Sequence, residues 1–170
     1  MLTKKVQDSL NSQIQKEGFS SNLYLAMASW AENDGFQGIS EWLYVQADEE
    51  RMHMLKFIHY VNERGGKAII PSFEQPPLSF NSIGDLFKEV LKHEEFVSAS
   101  INDIVAVCIA EKDFTTQNWT QWFVNEQIEE EKNAQVILDK LKILGDGGLY
   151  MFDRDIMGLR TKAAAGNSIT

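Results

Sequence analysis

The sequence predicts an all-α protein: a four-helix bundle with one long crossover connection and a short C-terminal fifth helix. Four proline-free segments of about 30 residues each repeat apolar side chains at helical spacing, and no stretch alternates as a strand does. All three prolines lie in one loop, residues 65–81, whereas the other breaks are short. A chain of 170 residues with 44 % hydrophobic residues is long enough to bury one such core.

The first half of the chain contains two predicted helices joined by a tight turn. The first covers about residues 5–33 and ends at Asn33-Asp34-Gly35, a cluster of turn-forming residues. The second covers about residues 37–64 and ends before Gly65, which suits a helix C-cap. Because the turn is so short, these two helices should be antiparallel neighbours.

The second half repeats this arrangement. The third helix covers about residues 82–111 and begins with Ser82-Ile-Gly-Asp85, which resembles a capping box. The fourth covers about residues 114–144, after the short turn Glu111-Lys-Asp-Phe114, and ends at Gly145. These helices should also be antiparallel, because the turn between them is equally short.

The 17-residue loop 65–81 decides how the two pairs combine. A helix of about 28 residues is about 42 Å long at 1.5 Å per residue. A 17-residue segment can stretch to about 56 Å. The loop can therefore run the full length of the bundle, which would make the second and third helices parallel. A crossover also explains why a compact domain contains so long a loop.

A short fifth helix is predicted over residues 149–160, where Leu149, Phe152, Ile156 and Leu159 share one face. The last segment, residues 161–170, is small and polar and is expected to be a frayed tail. We therefore expect one bundle domain over residues 1–160 followed by a flexible tail.

Composition excludes several classes of protein. With 25 acidic and 16 basic residues, the formal net charge is −9, and no basic footprint for nucleic acid is visible. The single cysteine, Cys108, excludes an intrachain disulfide framework and zinc sites built from several thiolates. Neither a signal-peptide core nor an apolar run long enough for a membrane span occurs. The sequence therefore predicts a cytoplasmic protein that binds neither nucleic acid nor a membrane.

Each of the four long helices carries a carboxylate near the middle of the apolar stripe that would face the core. In the first helix, Glu17 lies one heptad after Leu10 and one before Tyr24. Residues near mid-helix lie at a similar height in a bundle whichever way the helices run. One level of the core should therefore contain Glu17, Glu50, His53, Glu94, Gln127 and Glu130.

These acids have two interpretations. A single glutamate at such a position most often lies on a solvated face, because glutamate is almost never buried unpaired. Four buried carboxylates would instead repel one another, and the stripes hold no lysine or arginine to neutralise them. Two divalent cations would neutralise them, and carboxylates with one imidazole favour iron or manganese over zinc. Glu50-Arg-Met-His53 also has the Glu-x-x-His spacing of di-iron carboxylate bundles.

With this motif on the second helix and acids at heptad positions on the other three, the sequence resembles the non-haem bacterial ferritins from its first helix to about residue 160. The resemblance implies a ferroxidase centre that holds two iron ions. In that centre Glu17 and His53 would hold the first iron, Glu50 would bridge, and Glu94 and Glu130 would hold the second. Gln127 matches a glutamine that hydrogen-bonds at the site rather than ligating.

The resemblance assigns further residues around the centre. Tyr24 matches a tyrosine that donates an electron or a hydrogen bond, and Trp122 matches a neighbouring tryptophan; ordinary core packing is the alternative for both. A third iron site on the inner side would use Glu49, Glu126 and Glu129 and share Glu130. The alternative for these three acids is a solvated charge run.

Some positions depart from the patterns of related families. The fourth helix carries Gln127-Ile-Glu-Glu130 where bacterioferritins and rubrerythrins have a second Glu-x-x-His, so the site would be asymmetric. Arg51 stands where bacterioferritins have their haem-ligating methionine, so we expect no haem. Gln117 and Thr120 occupy the positions where animal ferritins line a threefold iron channel with acids, which puts that route in doubt.

The function implied by the resemblance is iron storage. Twenty-four copies would form a hollow cage, oxidise Fe(II) with O₂ or H₂O₂ at the di-iron centre and deposit ferric mineral inside. Two alternatives stay open at this point. One is a di-iron peroxidase that does not store iron, and the other is a metal-free helical interaction module.

Overall fold

The computed structural model of the protein describes residues 1–159. Its α-helices are α1 (Lys4–Asn33), α2 (Gln37–Glu63), α3 (Ile83–Ala110), α4 (Phe114–Leu144) and α5 (Leu149–Asp155). Within residues 1–159 there is no β-strand, and the predicted fold class is confirmed. The predicted fifth helix divides into α5 and a 3₁₀ turn, Ile156–Leu159, and the predicted tail 161–170 lies outside the described residues.

Side chains cap three of the four long helices. Thr3 and Asp113 accept hydrogen bonds from backbone N–H groups in the first turns of α1 and α4. The hydroxyl of Ser82 accepts a hydrogen bond from the Asp85 N–H at 3.0 Å, so the predicted cap begins α3. The α2 helix has no cap of its own, but the carboxylate of Asp153 on α5 accepts the Ile39 N–H at 2.9 Å.

The long connection runs along α1 from one end of the bundle to the other. Near its start, Asn11 bonds to the backbone of Lys67 and Ile69. Further along, the ring of Phe73 lies against Gly18. Near its end, the ring of Phe80 contacts Trp30 with centroids 5.5 Å apart. The connection is therefore a crossover, α2 and α3 run parallel, and each short turn joins an antiparallel pair.

The core has two apolar clusters. The cluster towards the α1–α2 turn includes Met27, Leu43 and Phe87, and α5 adds Phe152 to it. The cluster towards the other end includes Leu10, Phe57 and Phe123. A level of buried polar side chains lies between the two, near the middle of every long helix. None of the helices described is long and apolar enough to cross a membrane.

Candidate metal centre

The polar level is formed by the residues that interrupt the apolar stripes. Each has less than a tenth of its surface exposed: Glu17, Glu50, His53, Glu94, Gln127 and Glu130. A charged carboxylate in such surroundings is costly unless it is paired, protonated or bound to a cation. The solvated-face interpretation does not describe these four glutamates, because the structure buries all of them.

Glu17, Glu50 and His53 form the most compact group of the centre. The Nδ1 atom of His53 lies 3.6 Å from Oε2 of Glu50 and 3.9 Å from Oε2 of Glu17. One donor atom from each residue falls within 4.8 Å of the others. Oε2 of Glu17 and Oε1 of Glu50 are buried without a hydrogen-bond partner. Two such oxygens beside an imidazole form a donor set that fits a divalent metal ion.

Glu94 lies across the bundle and receives its hydrogen bonds from two other helices. The phenol of Tyr24 on α1 donates to Oε1 of Glu94. The Nε2 amide of Gln127 on α4 donates to Oε2 of Glu94 at 3.0 Å. Both donors hold the carboxylate in one orientation, as partners of metal-ligating carboxylates commonly do.

Two further glutamines, to which the sequence patterns assign no role, also orient the acids. Gln13 donates to Oε1 of Glu17 at 2.8 Å, and Gln46 donates to Oε2 of Glu130 at 2.8 Å. Each glutamine lies one helical turn before an acid of the centre on its own helix, Glu17 for Gln13 and Glu50 for Gln46. This spacing is the one signal in the sequence, and it does not show which acid each amide meets, because a neutral amide fits many surroundings.

Burial and nearby negative charge raise the pKa values of all four carboxylates of the centre. The pKa of Glu17 is raised well above its usual value by burial and then by the charge of Glu50. The pKa values of Glu50 and Glu130 rise in the same way, from burial and then from the charge of Glu94. The pKa of Glu94 is raised by burial, although its bonds from Tyr24 and Gln127 offset part of the effect. Protons or metal cations must neutralise this cluster.

The second set of acids lies beside the centre in a more open position. Glu49, Glu126 and Glu129 are half-buried, and none of them belongs to the compact group described above. The pKa of Glu126 is raised by partial burial and by the charges of Glu129 and Glu49, whereas His53 and Lys56 act the other way. The charges of Glu49 and Glu129 therefore act on Glu126, and the charge of Lys56 on α2 opposes them.

Aromatic rings close the centre on two sides. The phenol of Tyr24 is buried and bonded to Glu94, and its pKa is raised well above the usual value by burial and the Glu94 charge. The Trp122 ring meets the His53 ring edge-on, with centroids 5.4 Å apart. The ammonium of Lys56 lies 3.3 Å from the centroid of the Trp122 ring. The structure thus brings both predicted aromatic residues to the centre.

The chain is similar to known proteins over nearly its whole length. Residues 7–144 match the family model of the ferritin-like domain. A probable bacterial non-heme ferritin-like protein of Haemophilus influenzae is 41 % identical over 165 residues, covering 96 % of this chain and 100 % of the relative. A bacterial non-heme ferritin of Campylobacter jejuni is 39 % identical, covering 94 % and 96 % of the two chains.

Solved structures also match this chain over nearly its whole length. An open pore ferritin from the archaeon Archaeoglobus fulgidus superposes with a TM-score of 0.90 at 39 % identity. The match covers 94 % of this chain and 98 % of the archaeal chain. The similarity in fold therefore extends over nearly the whole bundle, including the crossover.

Proposed function

The chain belongs to the ferritin family, and from that premise we propose that it is an iron-storage protein with ferroxidase activity. The family and the fold support iron storage. The observation that carries the ferroxidase proposal is the pair of buried, unpartnered carboxylate oxygens of Glu17 and Glu50 beside His53. Such oxygens are costly in an apolar core and are suited to binding the substrate, Fe(II).

We assign the residues as follows. Glu17 and His53 bind the first Fe(II), Glu50 bridges, and Glu94 and Glu130 bind the second. Tyr24 and Gln127 hold Glu94 in place through the hydrogen bonds described above. In the same way, Gln13 and Gln46 hold Glu17 and Glu130. The acids Glu49, Glu126 and Glu129 form a third, more open iron site next to Glu130.

The proposed reaction oxidises two Fe(II) ions with one molecule of O₂ or H₂O₂. Each iron gives one electron, so the oxidant is reduced in a two-electron step. The carboxylates lower the charge of the bound pair and favour the ferric product, because four of them surround the two ions. The ferric ions then leave the centre, hydrolyse and form mineral. No haem takes part in this scheme.

Storage requires an enclosed space, and we propose that the chain assembles into a cage of 24 copies, in the cytoplasm. Membership of the ferritin family supports the cage. The described part of the bundle also leaves large apolar side chains exposed, among them Leu78 and Ile143, which a cage interface would cover.

The test is an iron-loading experiment. Fe(II) is added in large excess in air, and iron per chain is measured in the soluble high-mass fraction after size exclusion. Iron far above two or three ions per chain, eluting with a large assembly, is the expected result. Iron that stops at two or three per chain would indicate a di-iron enzyme without storage, such as a peroxidase. No retained iron would leave only a metal-free helical module.

A further inference from the structure

A column of aromatic rings leads from the metal centre towards the end of the bundle where α2 stops. The Trp122 ring contacts Phe123 with centroids 4.8 Å apart, and Phe123 contacts Trp119 at 5.1 Å. The Trp119 ring then stacks on Tyr60, with centroids 3.8 Å apart and planes 11° from parallel. We call Trp122, Phe123, Trp119 and Tyr60 the aromatic column. It starts at His53, which meets both Trp122 and Phe123.

At the far end of the aromatic column, a chain of hydrogen bonds connects Tyr60 to a proton acceptor, Asp113. The Tyr60 phenol is buried and donates to the hydroxyl of Thr116 at 3.1 Å. That hydroxyl donates to Oδ2 of Asp113 at 2.7 Å. The guanidinium of Arg64 donates to the Tyr60 oxygen at 2.6 Å and to the Asp113 carboxylate at 3.2 and 3.3 Å. The hydrogen bonds therefore run in one direction, from phenol to carboxylate.

These contacts suit one-electron oxidation of Tyr60. An oxidised phenol is a strong acid, and the positive guanidinium of Arg64 at its oxygen disfavours a cation there. The proton should therefore leave as the electron leaves, through the Thr116 hydroxyl to Asp113. Tryptophan and tyrosine are the most easily oxidised rings of the column, and Phe123 bridges the gap between the two tryptophans.

From this geometry we propose that the aromatic column is an electron relay, with Tyr60 as the terminal donor to the metal centre. The proposal rests on the ferroxidase function and adds a second source of electrons to it. Such a source is needed when peroxide meets a centre that holds only one Fe(II). Cleavage of the O–O bond with one electron releases a hydroxyl radical, whereas two electrons yield two hydroxide ions.

The step balances as follows. One Fe(II) gives one electron and becomes Fe(III), and Tyr60 gives the second electron through the column. H₂O₂ accepts both electrons, its O–O bond breaks, and two hydroxide ions form. The Tyr60 O–H bond breaks, the proton passes through Thr116 to Asp113, and a neutral phenoxyl radical stays on Tyr60. The tryptophans carry the electron and return to their starting state.

The test detects the radical directly. Iron-free protein receives one Fe(II) per chain without oxygen and is then mixed with H₂O₂ and frozen within milliseconds. Electron paramagnetic resonance measures the tyrosyl radical, and absorbance in a parallel mixing measures Fe(III). We expect a tyrosyl radical whose hyperfine pattern changes in protein grown on ring-deuterated tyrosine. The signal should be lost in Tyr60→Phe and should fall severalfold in Trp119→Phe, which keeps Tyr60 and an aromatic ring at position 119.

The control is Tyr150→Phe, because Tyr150 on α5 is 80 % exposed and lies outside the column. This variant should keep the whole signal. A radical that is equally strong in Tyr60→Phe or in Trp119→Phe would overturn the relay, and so would its absence from the unaltered protein that forms Fe(III). If the unaltered protein forms Fe(III) no faster than Fe(II) and H₂O₂ do without protein, the ferroxidase function is contradicted instead, so the two failures are distinguishable.

Discussion

Glu50 is the residue on which the proposed chemistry depends most. Its Oε2 atom faces His53, and its Oε1 atom has no hydrogen-bond partner. Its pKa is raised by burial and then by the charge of Glu94 on the opposite side of the bundle. Glu50 is therefore close enough to both halves of the centre to interact with each of them, which a bridging ligand requires. Neither Glu17 nor Glu94 combines these contacts.

Glu50→Ala should abolish rapid oxidation of Fe(II). We expect the rate to fall by more than about 100-fold, because loss of even an outer partner of a metal site costs roughly 10- to 100-fold. The measurement is stopped-flow absorbance of Fe(III) after mixing with Fe(II) in air. Glu41→Ala is the control, since Glu41 is an exposed acid on the same helix. A rate near that of the unaltered protein would contradict the bridging role.

The buried acids also predict how stability depends on pH in the iron-free protein. Each has a pKa above 4.5 in the folded state, so the folded chain holds more protons than the unfolded chain. The contribution of these acids to the free energy of unfolding should be greatest near and below pH 4.5 and should be lost as the pH rises through their folded-state values. Each excess proton contributes a slope of about 1.4 kcal/mol per pH unit.

Urea unfolding at fixed protein concentration, from about pH 5 to about pH 8, measures that slope. Glu17→Gln should flatten it, because one of the proton-binding groups is gone. Glu41→Gln should leave it unchanged. If Glu17→Gln has the same slope as the unaltered protein, Glu17 holds no excess proton in the folded, iron-free state.

The sequence predicted the acids of the centre but not all of their partners. Glu17 and Glu94 stood out because a carboxylate inside an apolar stripe has few explanations. Gln13 and Gln46 did not, because a neutral amide in a stripe is compatible with many surroundings. Which acid each amide meets depends on side-chain directions across helices, and spacing along one helix does not contain that information.

Among the helices, the position of α5 depends on a close contact with α2 that only glycine permits. It rests on the first turn of α2, where Asp153 accepts the Ile39 N–H. A Cβ atom on Gly38 would lie 1.8 Å from the Asp153 carbonyl oxygen, so only glycine permits this approach. The short helix then buries Phe152 and Ile156 against the bundle.

Gly38→Ala should therefore displace α5. We expect destabilisation of about 1–3 kcal/mol, the usual cost of overpacking, together with faster proteolysis between residues 149 and 159. Thermal unfolding and limited proteolysis with mass spectrometry measure the two effects. Gly84→Ala is the control, because a Cβ there meets only the Ser82 hydroxyl at 3.7 Å. If both variants are cleaved alike, the close approach of Asp153 does not hold α5 in place.

The elements themselves were predictable to within one residue at most helix ends. The crossover followed from loop length, since 17 residues can span a bundle that a short turn cannot. The attachment of α5 to α2 was not predictable, because it depends on a cap that one helix supplies to another. Such a contact leaves no periodic pattern in the sequence.

At the scale of the whole molecule, some large apolar side chains lie far exposed on the surface of one bundle. Leu78 in the crossover is 81 % exposed, and Ile143 near the end of α4 is 83 % exposed. A contiguous exposed apolar patch marks an association site, so a residue such as Leu78 matters to assembly only where neighbouring copies cover it. The sequence alone supported association only weakly, because which apolar residues stay uncovered is decided by the fold.

If the crossover face is an interface of the assembly, Leu78→Glu should weaken it. A buried carboxylate without a partner is unfavourable, so the variant should elute from size exclusion at a lower mass, measured by light scattering. Leu78→Met keeps the apolar surface and should elute like the unaltered protein. Circular dichroism should give equal helix content for all three, since Leu78 contributes little to the core of its own bundle. A Leu78→Glu assembly of unchanged mass would place the interfaces elsewhere, on faces such as the one that carries Ile143.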